Sequence, residues 1–346
     1  MFWCRSGFCY MIHHRPSHHV LFWCYAARRA GNELFRKELD LLAIANMIAI
    51  TNGKGGTLKS TTASHVAAIA AAAGWRVLII DADPQGNTSR DLGYIPDGGV
   101  ALAAALLGKA SLEVSAVEGR PGLDYVAGGD ELVSATTELG NRLARADFTA
   151  FRSFTRAVEP VASNYDLILV DSGPGDHILR KMILAAARFV VIPCKTDQTS
   201  IPDGLANLFR TVGELRSDLN QDLEVLGVLL GPVRPTETKR LARARARAVE
   251  VLKDEAIIFE TVIRENGKIA DDCRDLGIVA TEYEQRCERA HVERVPWYKR
   301  SKTERENTRL QLQFSDPAAA AGLARDWQAL TDEILARFRA RCEEAA

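Results

Sequence analysis

The stretch Met47–Thr62, MIAITNGKGGTLKSTT, constrains this chain more than any other. Met47 to Thr51 is short, apolar and β-branched, so it reads as a buried strand. Gly53, Gly55 and Gly56 then permit a turn whose backbone N–H groups point inward, and Ser60 to Ala73 continues as an alanine-rich helix. A phosphate held in that turn meets backbone donors, the positive end of the helix dipole and the Lys59 ammonium, while the Ser60 hydroxyl suits Mg²⁺. Thr57, Leu58 and Thr61 complete the loop and the first helical turn.

The pattern G-x-x-x-x-G-K-[ST] is met except at Leu58, which stands where its second glycine belongs. The pattern that holds is K-G-G-x-x-K-[ST], with Lys54 at its front. This resembles the deviant Walker A loop of ParA-type partition ATPases. The resemblance implies an α/β P-loop NTPase fold, a mostly parallel twisted sheet covered by helices on both faces, with ATP and Mg²⁺ as its ligands. In that family two subunits sandwich two ATP molecules, and Lys54 would reach into the partner's site to neutralise charge on the transferring phosphate. Leucine prefers negative φ, so the loop is expected to differ locally at Leu58.

At 346 residues, 47% hydrophobic and 26% charged, the chain has material for one large α/β domain or two small ones. A net charge of −1 gives no global attraction to nucleic acid or membrane, so such contact requires a local patch. No apolar run approaches the roughly 18 residues of a membrane span, and the seven cysteines follow no disulfide-like spacing, which suits a reducing cytoplasm. Residues 1–46 hold Cys4, Cys9, Cys24 and four histidines without a clear period, and their spacing matches no standard zinc finger. Their apolar stretch is broken by histidines and lacks a small-residue cleavage site, unlike a secretory signal. They are read as an N-terminal extension, disordered or the result of a start site set too far upstream, with the ATPase domain over 47–346.

Two further strands end in carboxylates. Arg76 to Asp81, RVLIID, runs into DADPQGNTS, where α/β sheets place their ligands. This segment resembles the family's first switch, and the resemblance assigns water activation to Asp83 and the magnesium shell to Asp81. YDLILVDSGPG, Tyr165 to Gly175, reads as a Walker B strand whose Asp171 serves magnesium. Gly173-Pro174-Gly175 follows it where the family usually shows paired prolines. A short strand is expected at Leu123–Val126, and core strands at Phe189–Pro193 and Glu224–Leu230.

The local basic patch lies in Thr236–Leu252, a capped helix on which Arg240, Arg243 and Arg247 share a face, with Lys239 near its start. The family resemblance makes these residues a nonspecific DNA surface, extended by Arg264 and Lys268 in the turn that follows a late strand at Ile257. Tyr283 to Gln313 reads as a charged insertion, centred near 284–315. Asp316 to Arg341 forms a last amphipathic helix carrying Leu323, Trp327, Leu330, Ile334, Leu335 and Phe338.

The resemblance thus implies a cytoplasmic, nucleoid-associated ATPase that dimerises on ATP, binds nonspecific DNA and hydrolyses ATP when stimulated by a ParB-type partner. Two readings stand beside it: a MinD-like positioning ATPase at a membrane or polar complex, and a nucleotide-binding regulator that does not turn over.

Overall fold

The computed structural model describes residues 43–175, 177–197, 200–234, 236–292 and 317–345. The expectations for the first 42 residues and for most of the charged insertion lie outside them. A seven-stranded sheet runs in the order β3-β4-β2-β5-β1-β6-β7. Its members are β1 (Ile44–Ile50), β2 (Val77–Ala82), β3 (Ser115–Ala116), β4 (Leu123–Val126), β5 (Leu167–Ser172), β6 (Ala187–Cys194) and β7 (Glu224–Leu230). Only the two-residue edge strand β3 is antiparallel to its neighbour.

The described helices are α1 (Lys59–Ala72), α2 (Thr88–Leu92), α3 (Val100–Leu106), α4 (Glu131–Ala144), α5 (Ser153–Ala162) and α6 (His177–Ala186). They continue with α7 (Ala206–Asp218), α8 (Thr238–Leu252), α9 (Gly267–Leu276), α10 (Ala280–Val292) and α11 (Pro317–Ala345). A π-helical turn, Ser200–Leu205, leads into α7.

Alternation along the strands divides the core in two. Met47 and Ala49 of β1, with Leu78, Ile80, Ile168 and Val170, face a layer that includes α3 to α8. Ile48 and Ile50, with Val77, Ile79, Leu167 and Leu169, face α1 and the helices α9 to α11. Both faces are covered, which is why these strands are apolar runs rather than alternating ones. The expected layered α/β fold is therefore observed.

Several boundaries move. β1 begins at Ile44, three residues before the expected start, where Ile44 pairs with Ala187. Asn46 anchors this entry by donating to the carbonyls of Ala162 at 2.9 Å and Tyr165 at 2.8 Å. The late strand expected at Ile257 is reduced to isolated bridges, Val228 with Ile258 and Val233 with Arg264. There the Phe259 ring occupies the space that a side chain at Gly227 would need. The first part of the charged segment is not loose: it forms α10, packs on α11 and buries Tyr283 and Cys287, one turn apart. Cys194, Cys273, Cys287 and Cys342 are free thiols.

The C-terminal helix buries all six of its expected apolar residues and is fastened by polar contacts as well. Arg337 donates to the carbonyls of Leu226, Ile257 and Ile258, and Glu333 accepts the backbone N–H groups of Glu260 and Thr261. Its contact with α1 centres on His65. The His65 ring stacks on Trp327, with centroids 4.2 Å apart, and Nε2 accepts the Ala280 N–H at 3.1 Å. Nδ1 must then carry the proton, donated to the Thr61 carbonyl at 2.8 Å.

Burial drives the His65 pKa down from 6.5 to about 4. Because the folded-state value lies below the unfolded one, protons bind the unfolded chain first, and stability falls as pH drops from about 6.5 toward 4. At pH 5 this removes about 2 kcal/mol relative to neutral pH. Urea unfolding at pH 7.5 and pH 5 should show a change in stability on acidification that differs between the parent and His65→Gln by that amount, the parent losing more.

Candidate nucleotide site

The parallel register brings the carboxyl ends of β1, β2, β5 and β6 to one edge, with Ile50 opposite Asp171 and Asp171 opposite Asp81. The loop leaving β1 is held there by Asn52, whose Nδ2 donates to the Pro193 carbonyl at 2.7 Å while Oδ1 accepts the Lys54 N–H at 3.1 Å. Ser172 ties β5 to the same point through the Thr51 hydroxyl at 2.6 Å. Gly56 adopts φ +65°, as a glycine permits. Leu58 adopts φ +64° and stands immediately before α1, so the position where the simple pattern has glycine does require the left-handed region. Holding leucine there costs about 1–2 kcal/mol, offset by the contact of its side chain with the core face under α1. The first turn of α1 contains no acidic residue, which leaves its positive end available to an anion.

Buried charges line the edge. The Lys59 ammonium donates to the Lys54 carbonyl at 3.1 Å; burial lowers its pKa, while Asp171 and then Asp83 raise it. Asp171 is fully buried, and neither of its oxygens has a hydrogen-bond partner of normal geometry. Burial and then the neighbouring Asp81 hold its pKa well above the usual carboxylate range, with the nearby Ser60 hydroxyl and Lys59 drawing it back.

Asp81, expected at the magnesium shell, is already engaged by its own loop. Its Oδ1 accepts the Asp83 N–H at 3.0 Å, and its Oδ2 accepts the Thr88 N–H at 3.1 Å and hydroxyl at 2.6 Å. Burial still pushes its pKa up to about 6. The Thr88 hydroxyl continues to Tyr94, which stacks on Tyr125. Asp83 accepts the Gln85 N–H at 3.0 Å and lies against Gly173, where a methyl group would come within 3.0 Å of its Oδ1.

These residues fit a divalent cation: the unsatisfied oxygens of Asp171 lie beside the Ser60 hydroxyl, among carboxylates that Lys59 alone does not balance. Among the described residues no group of three or more His, Cys, Asp or Glu side chains could hold a metal ion. Such an ion would therefore rest on Asp171, Ser60 and a phosphate ligand, as Mg²⁺ commonly does.

Gly53, Gly55, Gly56, Thr57, Leu58, Lys59, Ser60 and Thr61 all lie on the loop and first turn, and the Thr57 hydroxyl closes the loop onto the Lys54 carbonyl at 3.3 Å. The Lys54 stem lies over the Ser200–Leu205 turn, its Cε 3.5 Å from where a methyl on Gly204 would sit. Lys239, Arg240, Arg243 and Arg247 line one cleft of roughly 760 Å³ together with Thr196 and Asp197 of the loop after β6. The side-chain cap expected for α8 is not made, and Glu237 instead pairs with Arg240 at 3.1 Å. Lys268 is exposed on the first turn of α9. Arg264 differs from the expectation: its guanidinium grips Asp326 in two bonds of 2.6 and 2.8 Å and fastens α11, because that carboxylate is the partner within reach.

Sequence reasoning missed four contributors. Asn52 staples the loop. Gly128 has room for nothing larger, since a methyl there would meet the Asp83 carbonyl at 2.5 Å and the Asp81 carbonyl at 2.8 Å. Arg180 of α6 and Lys195 after β6 approach Gly53 and Gly56. Asn52 and Lys195 each carried one signal, a place just after a core strand.

The profile of a family described as an AAA domain matches residues 45–225. The chromosome partitioning protein ParA of Caulobacter vibrioides is 37% identical over 190 residues, covering 53% of this chain and 68% of that protein. That of Myxococcus xanthus is 31% identical over 246 residues, covering 70% and 83%. The chain belongs to the ParA family of partitioning ATPases. A solved complex of Cyanothece McdA with ATP shares the fold, at 20% identity and a TM-score of 0.61 over 70% of this chain and 91% of that one. As in other P-loop proteins, this ParA-family site sits at the carboxyl edge of the parallel sheet. No described helix is long and apolar enough to cross a membrane.

Gly128→Ala must displace backbone at both aspartates and should cost about 1–3 kcal/mol or more in thermal unfolding. Gly175→Ala, with open space around it and no positive φ, should leave the melting temperature within a degree or two of the parent.

Proposed function

We propose that this chain is a DNA partition ATPase: it binds ATP with Mg²⁺, pairs with a second copy, coats nonspecific DNA, and converts ATP and water to ADP and phosphate when a ParB-type partner acts on it. One observation carries the reading. The arginine-lined cleft of α8 shares Thr196 and Asp197 with the loop after β6, and that same loop sets Lys195 against Gly56 of the phosphate loop. One loop thus touches both the phosphate loop and the basic cleft, which supports a link between nucleotide and DNA binding.

The α1 terminus and Lys59 take the phosphates, and Ser60 with Asp171 hold Mg²⁺, which when bound offsets phosphate charge. Asp81 aims Asp83 by accepting its N–H, and Asp83 orients the attacking water and takes its proton. Lys54 leaves its rest over Gly204 to enter the second copy's site. Lys239, Arg240, Arg243 and Arg247 neutralise DNA phosphates, and the cell address is the nucleoid within the cytoplasm. Arg264 is left to its structural task, while Lys268 adds charge at a second point of the surface.

With ATPγS and Mg²⁺ the parent should sediment as a dimer and be retained on random DNA, and Lys54→Ala should remain monomeric. Arg243→Glu with Arg247→Glu should abolish DNA retention while leaving the dimer intact. Asp83→Ala should keep nucleotide and lose at least about 100-fold in phosphate release. A parent that stays monomeric with ATPγS and is matched by Lys54→Ala overturns the proposal. Sedimentation with liposomes but not DNA favours a membrane-positioning ATPase, and turnover equal to that of Asp83→Ala favours a non-hydrolysing regulator.

A further inference from the structure

Two cations outside the loop motif close on the phosphate loop. Arg180 projects from α6: its Nη1 is 3.4 Å from where a methyl on Gly53 would sit, so the absence of a side chain there admits the guanidinium. The group is buried and oriented by His177. A guanidinium always donates, so His177 Nδ1 accepts from Nη2, at 2.6 Å, while Nη1 lies on the side of the loop. Lys195 comes from the opposite side, its Nζ 3.1 Å from where a methyl on Gly56 would sit. Asn52 holds the start of the loop and α1 its end.

The two positions differ in what they would meet. Backbone donors in the middle of such a loop face the inner phosphates of a nucleotide, whereas its lysine side chain reaches toward the outer ones. Gly56 is in the middle of the loop. Gly53 is at its front, next to Lys54. Burial makes an arginine suited to phosphate here, because its planar fork binds two oxygens at once and is less strongly hydrated than an ammonium.

We infer that Arg180 and Lys195 are nucleotide-phosphate ligands supplied by the same subunit, Arg180 to the terminal phosphate and Lys195 to the inner phosphates. The inference rests on the nucleotide reading above and deepens it: discrimination between triphosphate and diphosphate is built into the single chain through α6, apart from any lysine crossing between copies.

Calorimetric titration of the full chain with ATPγS and with ADP, each with Mg²⁺, tests this. Arg180→Gln should weaken ATPγS binding by at least about 10-fold and change ADP binding by less than about 2-fold, since only the triphosphate places charge at the fork. Arg180→Lys should fall between, keeping the charge without the fork. Lys195→Gln should weaken both nucleotides by a similar factor. Thermal melts followed by circular dichroism accompany each variant, and the ratio of the two affinities within one variant reports selectivity independently of the folded fraction. Equal losses for both nucleotides in Arg180→Gln, or no loss, overturn the assignment of Arg180 alone. Unchanged binding in Lys195→Gln overturns that of Lys195. A parent that binds neither nucleotide overturns the nucleotide reading and this inference with it.

Discussion

The opposition of Asp81 and Asp171 across paired strands, beside a buried lysine, is the constraint to which the rest of this edge answers. Two carboxylates brought together out of water repel each other and lose hydration, so each must be compensated or stay protonated. The chain treats them differently. Asp81 is given three donors from its own turn, whereas Asp171 is left with Lys59 and the Ser60 hydroxyl nearby. One carboxylate thus shapes a loop, and the other has no hydrogen-bond partner of normal geometry on either oxygen.

Rigidity around this edge comes from elements distant in sequence. The small residues of α1 allow it to sit between the sheet and α11, and the His65–Trp327 stack joins those two helices directly. Arg264 and Arg337 extend the joint by binding α11 to β7 and to the segment around Ile257–Arg264. The helix that presents the phosphate-binding turn is therefore braced by the far end of the chain. Gly128 shows the same economy from the other side, packing backbone directly on the Asp81–Asp83 turn.

Much of this was legible residue by residue. Leu123–Val126 and Glu224–Leu230 were legible because each is a short, mostly apolar stretch bounded by turn formers. Leu58 was visible as the departure from the loop pattern, and the structure shows what the departure means: a non-glycine residue held at positive φ. The expected basic surface was readable as a helical face, yet its membership was not. Arg264 looks no different in sequence from Arg243, and only the approach of Asp326, 62 residues later, separates a structural arginine from an exposed one.

By itself the sequence determined the layered α/β fold, the phosphate loop, and the strands that deliver Asp83 and Asp171, because strand periodicity, glycine placement and helix starts are local properties of the chain. Tertiary structure alone decided which charges meet. It paired Asp81 with Asp171, set Arg180 over Gly53 and Lys195 over Gly56, and withdrew Arg264 into an ion pair. Those outcomes depend on the register of strands and the docking of helices, and electrostatic energy depends on distances between side chains that no local pattern encodes.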